Sequence, residues 1–124
     1  MSRLFAASRA VAALISVLVL AAPAFAADVS FVMNNHHPNA VEVELYSQDR
    51  DQLWLGGDKV YLLDKGAAKS VPVSCNAGEQ ICYGAWVAGD DRVTWGVGPD
   101  NDHSCGDCCY ICVGKTTAEV RIGP

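Results

Sequence analysis

The chain has 124 residues, 14 acidic and 9 basic side chains, a formal charge of −5 and 51% hydrophobic residues. That length is enough for one domain. An acidic balance without any Lys/Arg cluster argues against nucleic acid and anionic lipid as partners.

The N-terminus has the order of a secretory leader. Arg3 and Arg9 supply positive charge, residues 11–22 are almost wholly apolar, and Ala24-Phe25-Ala26 forms an A-x-A site behind Pro23. The apolar run is shorter than the ~20 residues of a bilayer span, and no second one follows. Residues 1–26 therefore read as a signal peptide and residues 27–124 as a single disulfide-containing β domain, with no membrane span left once the signal is removed. Loss of Arg3 and Arg9 takes the formal charge to −7.

Downstream the pattern is one of short strands. Val29, Phe31 and Met33 form a period-two stripe, and the Asn-rich turn 34–39 with its His36-His37-Pro38 follows. In 41–45, Val41, Val43 and Leu45 fall on one face and Glu42 and Glu44 on the other, the mark of a half-buried strand. Segments 59–63, 69–73 and 81–87 are rich in β-branched or aromatic residues, and Val93, Trp95 and Val97 form a further stripe. Turn signals at 56–58, 64–66, 76–78, 89–91 and 114–115 separate these runs. The segment 99–109 breaks the alternation, is polar and acidic, and reads as a loop or cap tied down by cysteines. Residues 117–122 alternate again, with Ala118, Val120 and Ile122 on one face. The expectation is an all-β domain: a single antiparallel β-sandwich or small barrel of about six to eight short strands, with a disulfide-tied C-terminal loop region.

All six cysteines lie after the leader: Cys75, Cys82, Cys105, Cys108, Cys109 and Cys112. An even number in a short exported chain reads first as a disulfide framework. A 75–82 bridge across a hairpin is favoured, with 105–109 and 108–112 preferred for the others and cross-pairing with Cys75 or Cys82 open. The competing reading uses the i, i+3, i+4, i+7 spacing of Cys105, Cys108, Cys109 and Cys112, which on a helix would present four thiolates to Zn or Cu. The two C-x-x-C units allow a third reading, thiol–disulfide exchange, although the βαβ setting usual for such motifs is absent. His36, His37 and His103 are further candidate metal ligands. Asp100, Asp102 and Asp107 offer oxygen to an irregular calcium site, but Cys105 and Ile111 stand where a calcium loop needs Gly and Glu.

Among the aromatics, Trp54 beside Gly56-Gly57 and Trp86 on the face opposite Ile81, Tyr83, Ala85 and Val87 are the candidates for an exposed recognition surface. No nucleophile elbow, zinc-protease motif or phosphate-binding glycine loop is present, which points away from an enzyme. The first strand, the Asn-rich turn and the alternating second strand resemble the opening of thaumatin-like secreted β-sandwiches. The resemblance is confined to that segment, lacks that family's larger cysteine pattern and carries no function across. The expectation for function is therefore a small secreted or periplasmic, non-catalytic binding module without a cofactor. It would present Asp100, Asp102, Trp54 and Trp86 to a protein or small ligand that the sequence does not identify.

Overall fold

The structure is a computed structural model that describes residues 26–114 and 116–124, so all but the last residue of the expected signal peptide lies outside the described residues. No described residue is helical; nine strands make up two sheets. They are β1 (Ala26–Asn35), β2 (Val41–Ser47), β3 (Leu53–Trp54), β4 (Tyr61–Leu63), β5 (Ala68–Asn76), β6 (Gln80–Val87), β7 (Asp90–Gly96), β8 (Cys109–Ile111) and β9 (Thr116–Ile122).

One sheet has the order β5-β1-β9. In the other, β2 and β6 are central, β3 and β4 flank β2, and β7 and β8 flank β6. The sheets pack as an open sandwich rather than a closed barrel. Every pairing is antiparallel except β1 with β9, which run parallel, so the first sheet is mixed where the sequence suggested antiparallel pairing throughout.

The period-two stripes meet in one core. Val29, Phe31 and Met33 of β1, Val71 and Val73 of β5, and Val120 and Ile122 of β9 face Val41, Val43, Leu45, Ile81 and Ala85 of the second sheet. Burying such side chains is worth roughly 1.5–3 kcal/mol each before the conformational cost. Asn35 ends β1 as a buried polar hub. Its amide donates to the carbonyls of Asn39, Leu63 and Asp64, and its oxygen accepts the His37 N–H at 2.8 Å, which fixes the Asn-rich turn.

All six cysteines are paired, as 75–112, 82–109 and 105–108. This corrects the expected 75–82, 105–109 and 108–112 set. Cys75 and Cys82 do not share a hairpin, because β5 and β6 belong to different sheets and the turn between them crosses from one layer to the other. Cys75 points into the core, whereas Cys82 points outward. β8 then lies beside β6 with Cys109 directly opposite Cys82, and Cys112 reaches inward to Cys75. The two long-range bridges close 37 and 27 residues and contribute about 3–4 kcal/mol each in the chain-entropy account. The 105–108 ring is small and contributes less.

The segment 97–108 is not a pendant loop. It lies as a third layer on the outer face of the β2–β6 sheet, where Tyr46, Cys82 and Val97 form a second small core with Leu53, Cys105 and Cys109 against it. Gly96, at φ +65°, turns the chain out of β7, so Val97 enters this outer core and leaves the stripe of Val93 and Trp95. Gly84 makes room for the layer. A Cβ there would collide with the Gly98 carbonyl oxygen and lie 2.9 Å from the Tyr46 ring.

Candidate binding groove

Between this third layer and the turn that follows β2 runs a groove of about 430 Å³, lined among others by Glu44, Tyr46, Arg50, Asp51, Pro99 and Asp100. Its volume suits a small ligand or one or two side chains, while its polar lining differs from the apolar pockets that usually take drug-like molecules.

One wall is the turn 48–52, held by Ser47. The Ser47 hydroxyl accepts the N–H groups of Asp49 and Arg50, both at 3.2 Å, and donates to Glu79 Oε2 at 2.6 Å. Serine and threonine hydroxyls commonly organise turns in this way. Glu79, 3% exposed, anchors this turn without itself lining the groove. It receives Arg50 Nε at 2.5 Å and Nη2 at 3.0 Å, and the Asn76 N–H at 3.0 Å. The Arg50 guanidinium, with Ser47 and the Asn76 amide, holds the Glu79 carboxyl down at about 2 against the opposing effect of burial. Arg50 also sits over the Trp54 ring at 5.9 Å. Trp54 in turn donates its indole N–H to the Ser74 carbonyl at 2.8 Å, linking the two sheets.

The opposite wall is 97–101. The backbone of His103 donates to the Val97 carbonyl and that of Val97 to Tyr83. Asn101 adopts φ +54°, a conformation that asparagine tolerates better than most residues, and accepts from Gln48 Nε2 at 2.9 Å across the groove. On the floor, Tyr46 Oη lies 2.9 Å from Glu44 Oε2 and 2.5 Å from the Pro99 carbonyl oxygen. Burial pushes the Glu44 carboxyl up, with Asp100 adding to the effect and the Tyr46 hydrogen bond opposing it. Burial and the Glu44 charge keep the Tyr46 phenol well above its ordinary range, so it remains a hydroxyl.

The sequence-derived site residues are distributed unevenly about this groove. Asp100 lines it. Asp102 is exposed just beyond and lies 3.5 Å from His103 Nε2. The two tryptophans are buried, not exposed: Trp54 is 9% and Trp86 8% accessible. Trp86 donates to Glu42 Oε2 at 2.6 Å beside a separate acidic cleft with Asp90 and Asp91.

The histidines do not converge. His37 packs on the ring of Trp95, and His103 lies 3.4 Å from the hydroxyl of the neighbouring Thr94. Successive strand residues point to opposite faces, which separates the two imidazoles. The segment 105–112 is loop and strand rather than helix, and its four cysteines are divided among three disulfides, so they do not present four thiolates together. Among the described residues no group of three His, Cys, Asp or Glu side chains is placed to hold a metal ion.

Sequence reasoning missed Glu79, Arg50 and Ser47. A carboxylate in the apparently exposed turn before β6 carries no signal of burial. Gly84 did carry one, since a glycine inside a strand often marks a close backbone approach. Comparison with protein-family models, curated proteins and solved structures finds no match, so no role is transferred to these residues from a relative.

Proposed function

We propose that the protein is a small exported binding module that captures its ligand in the groove between the Ser47–Glu79–Arg50 turn and the disulfide-tied layer 97–108. One observation carries this reading: a loop with few apolar side chains, closed on itself by Cys105–Cys108, is fixed on the sheet by the Cys82–Cys109 bridge at its end and by a dedicated small core, with an open polar groove along its edge. Recognition commonly resides on loops held by a rigid scaffold, and pre-ordering them reduces the entropic cost of binding. Asp51, Asp100 and the nearby Asp102 give the rim a negative character that favours a cationic group on the partner.

Two features support the export part of this reading. The leader-like order of residues 1–26 agrees with three disulfides, which persist in oxidising compartments such as a periplasm or the exterior. Cleavage after Ala26 leaves Ala27 to begin β1 opposite Cys75. No helix of the described residues is long and apolar enough to cross a membrane.

The test is capture from the native extracytoplasmic fraction, with wild type compared with the combined Asp100→Asn, Asp102→Asn, His103→Ala variant. Selective loss of a captured ligand supports the groove. Retention of every interaction by the variant means that this rim is not the binding surface.

A further inference from the structure

The floor of the groove contains an unbalanced hydrogen-bond triad. Tyr46 has one hydroxyl proton and two oxygen neighbours, Glu44 Oε2 at 2.9 Å and the Pro99 carbonyl at 2.5 Å. A carbonyl only accepts, and an ionised carboxylate only accepts. With Glu44 ionised, the charged oxygen is the stronger acceptor and draws the tyrosine proton. The Pro99 carbonyl then faces phenol lone pairs with no proton between them.

Adding one proton to Glu44 resolves the conflict. The carboxyl O–H donates to Tyr46 Oη, the Tyr46 O–H donates to Pro99, and all three oxygens are paired in a directional chain. We propose that Glu44 is the proton-binding site of a latch, in which its protonated form, acting through Tyr46, pins Pro99 and with it the wall of the groove. One proton is taken from solvent and no other bond changes.

The surroundings favour this. Glu44 is 9% exposed on a strand face roofed by the third layer. Glu42 and Tyr46 share its face of β2, Arg50 and Asp51 stand on the following turn and Asp100 on the roof, where Asp102 acts on Tyr46 and His103 packs beside Gly98. β6 contributes Gly84 directly opposite. Arg50 is committed to Glu79, so its charge does not hold Glu44 ionised. Burial pushes the Glu44 carboxyl above its ordinary 4.5; the Tyr46 hydrogen bond opposes this without reversing it, and Asp100 adds to it. The latch is therefore fully closed below the ordinary value and opens as pH rises through the raised one.

The consequence is a groove whose wall is fixed in acid and freed as pH rises through the raised Glu44 value. That consequence rests on the binding function proposed above; the latch itself does not, and its test needs no ligand. Glu44 is a positioning residue here, so the readout must be the wall. In the oxidised full domain, the Glu44 carboxyl is titrated by ¹³C NMR, and amide exchange at Gly98 and His103, corrected for intrinsic rates, is followed over the same pH range.

The expected result is a titration above the ordinary Glu value and wall protection about tenfold higher on its acid side, the worth of one hydrogen bond. The protection midpoint must coincide with that of Glu44 and not with those of Asp100, Asp102 or His103. Glu44→Gln, whose amide can donate to Tyr46, gives protection that is high and independent of pH, and Tyr46→Phe gives protection that is low and independent of pH. An ordinary Glu44 titration in wild type, or wall protection that ignores it, overturns the latch even where a variant does not fold. A confirmed latch on a groove that captures nothing would count against the binding function alone.

Discussion

Glu79 is where the fold should be most sensitive to acid. Its folded carboxyl is held at about 2 rather than 4.5, so its contribution is complete above the ordinary value and disappears as pH falls toward 2. The full difference corresponds to about 3 kcal/mol at neutral pH. The Arg50 side chain is 41% exposed, and water at that end screens the pair, so about 2 kcal/mol is the expected size. Glu79→Gln removes the charge while keeping the shape, and its amide N–H now faces donors from Arg50, Ser47 or Asn76. Urea unfolding followed by tryptophan fluorescence, at pH 7 and at about pH 3, gives four free energies. Wild type should lose stability on acidification, and the variant should start about 2–3 kcal/mol lower at pH 7 and lose correspondingly less. Glu44 has the opposite sign, stabilising in acid, so a Glu44→Gln background isolates the Glu79 contribution. A Glu79→Gln protein that matches wild type at pH 7, or that keeps the same acid dependence, would refute the assignment of Glu79 as the ionic anchor of the turn.

Asn35→Ala should cost about 2–3 kcal/mol in the same unfolding assay, because three carbonyls and the His37 N–H lose their partner inside the turn. Gly84→Ala should cost about 1–3 kcal/mol and raise exchange at Gly98 and His103 while leaving the β1–β5 ladder protected, since the added methyl strikes the third layer and not the main core. Intact mass after denaturation with an alkylating reagent should show no addition and the loss of all six thiol hydrogens. A non-reducing peptide map should then return 75–112, 82–109 and 105–108; a 75–82 peptide would contradict the crossing of β5 and β6 between sheets.

The inner faces were legible because their signal is local. Val29, Phe31 and Met33, or Val41, Val43 and Leu45, show a period of two regardless of what they pack against, and each stripe lies in the core as its spacing implies. Pairing is not local, and short segments carry little record of it. The run of six residues between Cys75 and Cys82 looks like a hairpin turn, and nothing within it records that the chain changes sheets. Nor does the alternation in 117–122 say that this strand runs parallel to β1, since parallel and antiparallel strands share the same side-chain period. The outer face of the β2–β6 sheet was obscured for a related reason. Glu44, Tyr46 and Trp86 occupy positions that a two-layer sandwich leaves in water, and they are buried here because 97–108 or neighbouring side chains cover them.

The sheet edges bear on where a partner can attach. A free edge strand offers unpaired backbone groups, and adding a strand there is a common way to bind a peptide. Both edges of the β5-β1-β9 sheet are blunted. On β5, Trp54 already occupies the Ser74 carbonyl, and Pro72, two residues away and so facing the same edge, has no N–H to offer. On β9, Tyr110 donates to the Glu119 carbonyl at 2.7 Å from the neighbouring β8. Tyr110→Phe should free that carbonyl at a cost of no more than about 1 kcal/mol. If the edge is then competent to pair, the variant should self-associate in sedimentation velocity at concentrations where wild type sediments as a single smaller species. An unchanged profile would mean that side chains along β9, and not the Tyr110 hydroxyl, guard that edge. At these positions, therefore, strand addition to this sheet must first displace Trp54 or Tyr110.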